Sequence, residues 1–388
     1  MTSDSVSLSG SVSGSVSVSV SVRQAVGADS AALCETFAGI TMDADLQLSI
    51  RRDPDFMALY RMQTDCWECW VGERDGRIVG LGAMLARPGY LEGERVRVGY
   101  LGDLRVSPRV PGALRLLAQL YGPSLDRFAS SSGCDLFLTT IIASNTRALR
   151  ALTSDRSRQL GIPSYQLVQQ FDIRAVHLAL PRRRFGGRIE VRRAVPADIA
   201  PLASFLDADS RGRPFGYVLD EAELRRRLAC WPGLDISDFY LAFDRGALVG
   251  CCAAWDATPV KRTVVTAYRG SMRWVKRVHD VAAPLLRVPR LPSGGQPLRY
   301  AYLTHLAIPS DSPAVMRALL EAVYRDRRAE GYHFLSVCVP DGDPLRPAYA
   351  GFLASNLRSN LYVVGARGRQ LPSMPFAGRR LGFEMALV

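Results

Sequence analysis

The chain has 388 residues, of which 48% are hydrophobic, and it carries a formal net charge of +12. This length exceeds what one hydrophobic core normally organises, and it predicts two or three globular domains. No uninterrupted apolar run reaches about 18 residues, so the composition excludes a membrane-spanning helix. The charge comes almost wholly from arginine, since the only lysines are Lys261 and Lys276, and it gives slight support to an anionic ligand.

The amino-terminal segment, residues 1–21, alternates Ser and Val and lacks the basic start and long apolar run of a secretory signal. We predict a disordered, low-complexity tail for this segment. The strict alternation is also compatible with an added edge strand.

Eight cysteines without a secretion signal predict reduced thiols and a cytoplasmic protein. Cys66 and Cys69 form a single Cys-x-x-Cys pair, and the sequence has no second such pair. Because a structural zinc site normally needs four ligands, we expect ordinary buried cysteines and no metal.

The sequence repeats itself, and the repeat predicts the domain organisation. The stretch VRQAVGADSAAL from Val22 is echoed by VRRAVPADIAPL from Val191, each a short strand followed by an Asp placed to cap a helix. The stretch GERDGRIVGLGAML from Gly72 is echoed by AFDRGALVGCCAAW from Ala242, each an antiparallel hairpin with a glycine in its turn. Further along, YLGDLRVSP recurs as YLTHLAIP, and a helical stretch follows both.

Each copy reads strand, helices, hairpin, strand, helix, strand, helix and strand, an order that predicts a mixed sheet with a β-α-β crossover. We predict two tandem domains, residues 22–180 and 189–388, joined by an Arg-, Pro- and Gly-rich linker at 181–188. The second copy carries an insertion at about 257–298 that mixes basic residues with apolar ones. A solvated basic arm, a lid, and a nucleic-acid or membrane contact all stay open for this insertion.

The end of the fourth strand in the first copy reads YLGDLRVSPRVPGALRLL. A strand that enters a helix through a small residue presents backbone N–H groups to an anion, and the helix dipole adds favourable charge. Arg109 is placed to add a charged hydrogen bond beside Gly112. After the next strand, Asn145 precedes Ala148 at the spacing of a helix cap.

The order of elements, together with Val106, Pro108, Arg109 and Gly112, resembles the GNAT superfamily of acyl-CoA-dependent N-acyltransferases. The resemblance implies an α/β fold, an α+β mixed sheet, in two tandem GNAT-like copies. It further implies acetyl-CoA or another acyl-CoA as co-substrate, without a metal, bound by the first copy. The residues that it assigns to this binding are Leu104, Arg105, Val106, Arg109, Gly112, Ala113, Leu114 and Asn145.

Acyl transfer to an amine needs a base, a donor for the oxyanion and a proton donor for the departing thiolate. By resemblance, Asp103 is the candidate base, and a strand amide near Arg105 or Val106 is the oxyanion donor. The structural alternative for Asp103 is an ion pair with Arg105 or a neighbouring arginine. A carboxyl with a pKa near 3.9 would need burial or a relay to act as a base. No tyrosine stands at the family's position for the thiolate donor, and Tyr121 and Tyr165 are distant substitutes.

The corresponding break in the second copy, IPSDSPAVMRALL, lacks the Arg-x-x-Gly pattern, and His305 occupies the slot of Asp103. We therefore expect one site, in the first copy, and an N-acyltransferase, foremost an N-acetyltransferase, acting on a small amine or a peptide.

Two alternatives stay open: a catalytically inactive ligand-sensing or protein-interaction module, and an enzyme like the long-chain N-acyl amino acid synthases. The first alternative is favoured by Pro111, which removes one amide from the loop, and by Leu114, which stands where the family has Gly or Ala. Nucleic-acid binding is not expected, because the basic residues are dispersed.

Overall fold

The structure is a computed structural model that describes residues 20–39, 45–107, 113–182, 187–366, 376 and 379–387. The predicted Ser/Val tail lies outside the described residues up to residue 19, and so do residues 183–186 of the predicted linker. We call residues 22–180 the first half and residues 189–388 the second half.

The first half contains seven strands and five α-helices among its described residues. The strands are β1 (Ser21–Gln24), β2 (Leu46–Arg51), β3 (Trp67–Arg74), β4 (Arg77–Leu91), β5 (Glu94–Val106), β6 (Leu136–Ile142) and β7 (Tyr165–His177). The helices are α1 (Ser30–Ala38), α2 (Ala58–Arg61), α3 (Ala113–Ser132), α4 (Thr146–Thr153) and α5 (Asp155–Gln159).

The second half follows the same order with additions. Its described strands are β8 (Glu190–Arg193), β9 (Gly216–Tyr217), β10 (Phe239–Asp244), β11 (Ala247–Trp255), β12 (Arg262–Tyr268), β13 (Tyr300–Ala307), β14 (Phe334–Pro340) and β15 (Ala354–Gly365). Its described helices are α6 (Ile199–Arg211), α7 (Glu221–Cys230), α8 (Met272–Leu286) and α9 (Pro313–Ala329). Where the first half has α4 and α5, the second has only a short 3-10 turn at Arg346–Tyr349.

The two halves share one mixed sheet, which confirms the predicted fold class. Among the described residues the strand order is β1-β3-β4-β5-β6-β15-β7-β14-β13-β11-β10-β8, with β9 beside β4. The last strand of each half therefore crosses over, because β15 pairs with β6 and β7 pairs with β14. The predicted boundary at residues 181–188 divides the chain between β7 and β8, whereas the sheet joins each half to the final strand of the other.

Local details repeat in both halves. In the two hairpins, the turn residues Asp75 and Gly76 have φ of 50° and 70°, and Arg245 and Gly246 have 51° and 81°. Two left-handed residues in succession form the type of turn that matches the twist of a hairpin. The glycine turns expected from the sequence are thus placed where the backbone needs them.

The Asp after the first strand of each half has a different partner from the one predicted. The carboxylate of Asp29 accepts hydrogen bonds from Arg23 and from the amide of Val26, and it does not cap α1. Asp198 makes the same bonds with Arg192 and the amide of Val195. The reason is that a 3-10 turn precedes each helix, so the carboxylate closes that turn instead.

The predicted insertion folds against the first half. Its strand β12 pairs antiparallel with β2, from Arg262 opposite Arg51 to Tyr268 opposite Leu46, and the two strands form a separate small sheet. The helix α8 follows β12 and lies outside the main core. The insertion therefore forms a strand and a helix, and its strand covers part of the first half.

The largest hydrophobic core also crosses between the halves. Leu59 and Met62 of the first half pack with Leu202, Trp231 and Trp255 of the second. Within the described residues, no helix is long and apolar enough to cross a membrane, and no group of three His, Cys, Asp or Glu side chains is arranged to hold a metal. The two halves form one structural unit through the shared sheet and this core.

Candidate active site

A cleft opens in the sheet where β5 and β6 separate. These parallel strands pair only at Gly99 with Phe137 and at Tyr100 with Leu138, although both continue beyond that point. We call the opening between Leu101–Val106 and Thr139–Ile142 the first cleft. Both strands end there before helices, so the cleft lies at the edge of the sheet where α/β folds commonly bind ligands.

A bulge in β5 directs its residues toward this cleft. The register with β4 shifts between Leu81 and Ala83, so that Gly82 stands opposite two residues of β5. At the bulge Asp103 has φ of 55°, in the left-handed region that Asp tolerates better than most residues. The extra residue bends β5 away from β6 and aims Asp103 at the neighbouring elements.

The first cleft holds a cavity of about 890 Å³. A cavity of this size lies within the ordinary range for small-molecule and cofactor sites. Five of the residues predicted for the site line it: Asp103, Leu104, Arg105, Val106 and Asn145. The structure thus brings the end of β5 and the start of α4 at Asn145 to one cavity.

Three predicted residues of the pyrophosphate loop, Pro108, Arg109 and Gly112, lie outside the described residues. Ala113 and Leu114 belong to the first turn of α3, but their side chains are also outside the described set. Their roles stay predictions from the sequence.

Asn145 has the capping role that the sequence offered as its structural interpretation. Its side-chain oxygen accepts a hydrogen bond from the amide of Ala148 at 3.1 Å, which begins α4. The residue is exposed and also lines the cavity, so capping and a place beside a ligand are compatible.

Asp103 is held in a buried ion pair. Arg52 donates to its two carboxylate oxygens at 2.6 and 3.1 Å, and the Tyr60 hydroxyl donates to it at 2.6 Å. The Arg52 side chain is 2% exposed, so this charge is compensated almost entirely by Asp103. Among the arginines that the sequence left open as partners, the structure selects Arg52.

These contacts set the protonation state of Asp103. Burial by itself raises the pKa of the carboxyl, but the Arg52 charge and the bond from Tyr60 outweigh burial and bring the pKa below its ordinary value of 3.8. The pKa of Tyr60 is raised well above 10 by burial and then by the charge of Asp103. At neutral pH the group is a carboxylate, a guanidinium and a neutral phenol.

Lys261 lines the same cavity from the start of the insertion. It is 4% exposed, its Nζ donates to the carbonyl of Ala386 at 3.1 Å, and Nζ lies 5.0 Å from the centre of the Tyr302 ring. Burial, and then the charge of Arg52, lower its pKa from 10.5 to about 7, with Asp103 opposing the shift. We call Arg52, Tyr60, Asp103 and Lys261 the acceptor cluster.

Arg105 lies beside the acceptor cluster and does not contact Asp103 directly. Its guanidinium stacks on the Phe37 ring at 3.7 Å and donates to the Phe37 carbonyl at 3.4 Å. Burial lowers the pKa of Arg105, and the charge of Asp103 partly restores it. Arg105 therefore adds a second partly desolvated positive charge to the cavity wall.

Tyr121 and Tyr165, the distant substitutes for a proton donor, meet at the cavity. Their hydroxyl oxygens are 2.9 Å apart, and both residues line the cavity. Burial raises the pKa of both phenols, so both keep their protons at neutral pH. No local sequence pattern links these two tyrosines, which are 44 positions apart in the chain.

Three members of the acceptor cluster were not predicted from the sequence: Arg52, Tyr60 and Lys261. One signal for Lys261 was available, because it is one of only two lysines among 49 basic residues. Lysine, unlike arginine, shifts its pKa readily when it is buried, so a rare lysine in an arginine-rich chain was worth noting. Arg52 and Tyr60 lie in loops and short elements that no sequence pattern connects with β5.

The second half has a matching cleft, but it is filled. His305 has φ of 50° at a bulge that matches the one in β5, and β13 pairs with β14 only as far as Tyr302 with Ser336. Residues 380–386 occupy the opening and leave about 90 Å³. We call this opening the second cleft and residues 379–387 the carboxy-terminal segment.

His305 is fully engaged in the second cleft. Its amide donates to a Glu384 carboxylate oxygen at 2.9 Å, and its ring nitrogens lie 3.0 Å from Arg227 and 2.9 Å from Thr304. Burial, and then the Arg227 charge, lower its pKa well below 6.5, so the ring is neutral at physiological pH.

Solved structures with the same architecture include enzymes of the GNAT superfamily. The GCN5-related N-acetyltransferase from Sphaerobacter thermophilus aligns over 91% of this chain and 98% of its own, with 17% identity and a TM-score of 0.53. A tandem GNAT protein from the clavulanic acid biosynthesis pathway aligns over 90% of this chain and 100% of its own, with 12% identity and a TM-score of 0.52. The chain has a tandem GNAT-like fold.

N-myristoyltransferase from Saccharomyces cerevisiae, solved with bound myristoyl-CoA, is similar to this tandem GNAT-like chain over 86% of it and 79% of the enzyme, with a TM-score of 0.54 and 10% identity. No protein-family model matches the sequence, and no curated protein matches it either. At these identities the likeness establishes the fold, and the activity has to be argued from the site.

Proposed function

We propose that the protein transfers an acyl group from acyl-CoA to a primary amine at a single site, the first cleft. The observation that carries this proposal is the cavity of about 890 Å³ that joins Asn145 and the end of β5 to the acceptor cluster. The tandem GNAT-like fold supports it, because the neighbours with this fold include N-acyltransferases. The second cleft, with about 90 Å³ left open, serves as part of the scaffold.

The donor end of the site is proposed at the start of α3 and α4. Backbone amides at a helix start bind phosphate oxygens, and the loop before α3 contains Arg109 and Gly112. Leu104, Arg105 and Val106 line the cavity where the thioester would lie, and a β5 amide beside the bulge would bind the oxyanion.

At the acceptor end, the contacts favour a division of roles between Asp103 and Lys261. Asp103 was predicted as the base, but its pKa lies below 3.8, which makes it a weak proton acceptor and a persistent anion. We assign to it the positioning of Arg52 and the attraction of a cationic amine. Lys261, with a pKa of about 7, has a neutral form at physiological pH and is the better match for the base.

The proton and electron movements then balance within the site. Neutral Lys261 takes one proton from the substrate ammonium, and the free amine attacks the thioester carbonyl carbon. The C–S bond breaks as the amide forms, the attacking nitrogen gives up its second proton, and that proton reaches the departing thiolate through the Tyr121–Tyr165 pair or through water, so that the relay ends as it began. The proton on Lys261 is then released to solvent. The products are the N-acylated amine and CoA.

A longer acyl chain is the second candidate, because the wall of the cavity is largely apolar. Leu117, Ile141 and Leu152 line it together with Leu357 and Met385 from the second half. Such a wall would favour an extended acyl chain over an acetyl group by the burial of apolar surface. The acyl donor is therefore tested at several lengths.

Calorimetric titration of the full chain with acetyl-CoA, octanoyl-CoA and palmitoyl-CoA tests the proposal. We expect one site per chain with a dissociation constant of roughly micromolar size, about 8 kcal/mol. Gly112→Glu should abolish binding, because its carboxylate would repel the pyrophosphate. The matched control is Ala314→Glu, exposed at the corresponding helix start of the second half, and it should leave binding unchanged.

Three results would change the assignment. Absence of binding for all three donors contradicts acyl-CoA recognition altogether. Equal effects of Gly112→Glu and Ala314→Glu contradict the assignment to the first cleft. Tight binding without release of CoA in the presence of a panel of amines, amino acids and peptides identifies a ligand-sensing module instead of an enzyme.

A further inference from the structure

Helix α8 carries an apolar face that the rest of the described chain leaves uncovered. Four side chains at helical spacing form it, with exposed fractions of 67% at Trp274, 66% at Val278, 83% at Val281 and 87% at Leu285. Positions separated by four, three and four residues lie on one side of a helix. We call these four residues the apolar face; Val275 extends it at its edge.

The side of α8 that packs against the protein is polar or small. Lys276 donates to Asp280 at 2.6 Å and to the carbonyl of Leu291 at 2.8 Å, and Asp280 accepts from the amide of Leu291 at 2.9 Å. Ala283, on this side, is buried. The helix is therefore reversed relative to a normal surface helix, which buries its apolar side and exposes its polar one.

The charge around the apolar face is mainly positive, although an acid from outside the segment, Asp45, accepts a hydrogen bond from the Ser271 hydroxyl at the start of α8. Five arginines of the segment are exposed: Arg269, Arg273, Arg277, Arg287 and Arg290. The only acid between residues 269 and 291 is Asp280, which is occupied by Lys276 and Leu291. Arg277 lies 5.6 Å from the centre of the Trp274 ring, so cationic and apolar groups are directly adjacent.

The exposed apolar side chains and the neighbouring arginines together indicate which kind of partner would cover the apolar face. A second copy of the chain would place two sets of unpaired arginines around one apolar contact, and their repulsion would oppose the dimer. An anionic bilayer offers both an apolar layer for Trp274 and Leu285 and negative headgroups for the arginines. Helices that lie in a membrane interface combine these two features.

We propose that α8 docks the protein on an anionic lipid surface, with the apolar face in the headgroup region and the arginines on lipid phosphates. The helix has 15 residues and lies along the surface, as its polar inner side remains attached to the protein. The proposal does not depend on acyl transfer, since no residue of the acceptor cluster belongs to α8.

Co-sedimentation of the full chain with vesicles tests the proposal. We compare vesicles of phosphatidylcholine with vesicles of phosphatidylcholine and phosphatidylglycerol in equal parts. We expect sedimentation with the anionic vesicles only, and release as salt is raised, because surface charge attraction is screened. The fluorescence of Trp274, compared with Trp274→Phe, should shift to the blue on binding.

Two variants separate the apolar and the charged contributions. Val278→Glu should weaken binding by at least about tenfold, because it places a carboxylate among apolar groups at an anionic surface. Its matched control is Val195→Glu, at a valine that is 50% exposed in the second half and should bind like the unmodified protein. Arg273→Glu with Arg277→Glu should also weaken binding by at least about tenfold, whereas Arg225→Glu on α7 should not.

The outcomes decide the proposal in either direction. Binding to neither kind of vesicle overturns it, and so does equal binding to both, since the arginines carry the choice of an anionic surface. A stable dimer in light scattering that Val278→Glu dissociates would assign the apolar face to a second copy. Anionic-specific binding that both α8 variants lose and both control variants keep establishes the lipid site.

Discussion

The two clefts of this molecule share the same backbone geometry, but the first cleft is open and the second is filled. Both have a bulge with a left-handed residue, Asp103 with φ of 55° and His305 with φ of 50°, and in both the pairing of the parallel strands ends before the bulge, at Tyr100 and at Tyr302. The first cleft keeps about 890 Å³ open, and the second keeps about 90 Å³. A duplicated fold therefore creates two potential sites, and what fills them decides which one is used.

Each cleft receives residues from another part of the chain. In the second, a Glu384 side-chain oxygen accepts a hydrogen bond from the amide of His305, so the chain itself supplies the acceptor at that bulge. In the first, the insertion of the second half places Lys261 at the cavity and strand β12 beside β2. The second half thus closes its own cleft with the carboxy-terminal segment and supplies a wall to the cleft of the first.

The largest effect is expected from removing the charged partner of Asp103. The first cleft has this charged residue at its bulge, whereas the second cleft has the neutral ring of His305 at the matching position. Arg52→Met should lower the free energy of unfolding by about 3–5 kcal/mol, because it leaves the Asp103 carboxylate buried without its partner. Urea unfolding at pH 7 measures the loss. The double variant with Asp103→Leu should recover much of it, and a double variant no more stable than Arg52→Met would contradict this explanation.

The pH dependence of the Arg52 effect follows from the pKa of Asp103. Because the folded-state pKa is lowered, the stabilisation is fully present above the ordinary carboxyl pKa of 3.8 and is lost as the pH falls through the folded-state value. The difference in stability between the unmodified protein and Arg52→Met should therefore shrink as the pH falls and Asp103 becomes protonated, because a neutral carboxyl no longer needs the Arg52 charge.

Lys261 provides the second test, because the first cleft has it and the second cleft has no matching lysine. Lys261→Met should lower kcat by about 10²–10³-fold if its amine accepts the substrate proton. The matched control is Lys276→Met, the other lysine of the chain, which should retain normal turnover. Steady-state rates of CoA release measure both variants.

The pH profile sharpens the assignment of Lys261. The neutral amine is the active form, so kcat should rise with pH through about 7 and then level off, and Lys261→Met should lose this rising limb. The same lowered pKa means that the buried ammonium reduces stability below about pH 7, and that the reduction disappears as the pH rises toward 10.5. A pH profile unchanged in Lys261→Met would return the role of base to Asp103 or water.

The smallest expected effect concerns the filled cleft. Glu384→Ala should lower the free energy of unfolding by about 1–3 kcal/mol, because the buried amide of His305 loses its acceptor. Glu384→Gln keeps an acceptor oxygen and should cost less than Glu384→Ala in thermal unfolding. Appearance of a second acyl-CoA site in titrations of Glu384→Ala would show that filling alone silences the second cleft.

The sequence carried enough to predict the repeated strand and helix order and the hairpin turns. Alternation, turn glycines and helical spacing are local properties, so they are visible in a short window of sequence. The placement of Asp103, Arg105, Val106 and Asn145 around one cavity followed from that order. The helix predicted after β14 was replaced by a 3-10 turn at Arg346–Tyr349, because the following segment leads directly into the exchanged strand β15.

The sequence by itself determined the duplicated α/β order, the break after β5 and the asymmetry between Asp103 and His305. Only the tertiary structure decided that β7 and β15 exchange partners, that β12 joins β2, that Arg52 pairs with Asp103 and that Lys261 lines the same cavity. These contacts join residues 51 to more than 200 positions apart, and no periodicity links such distant parts of a chain. They are fixed by the joint burial of the two halves, so the charged residues that complete the site appear only when both halves are folded together.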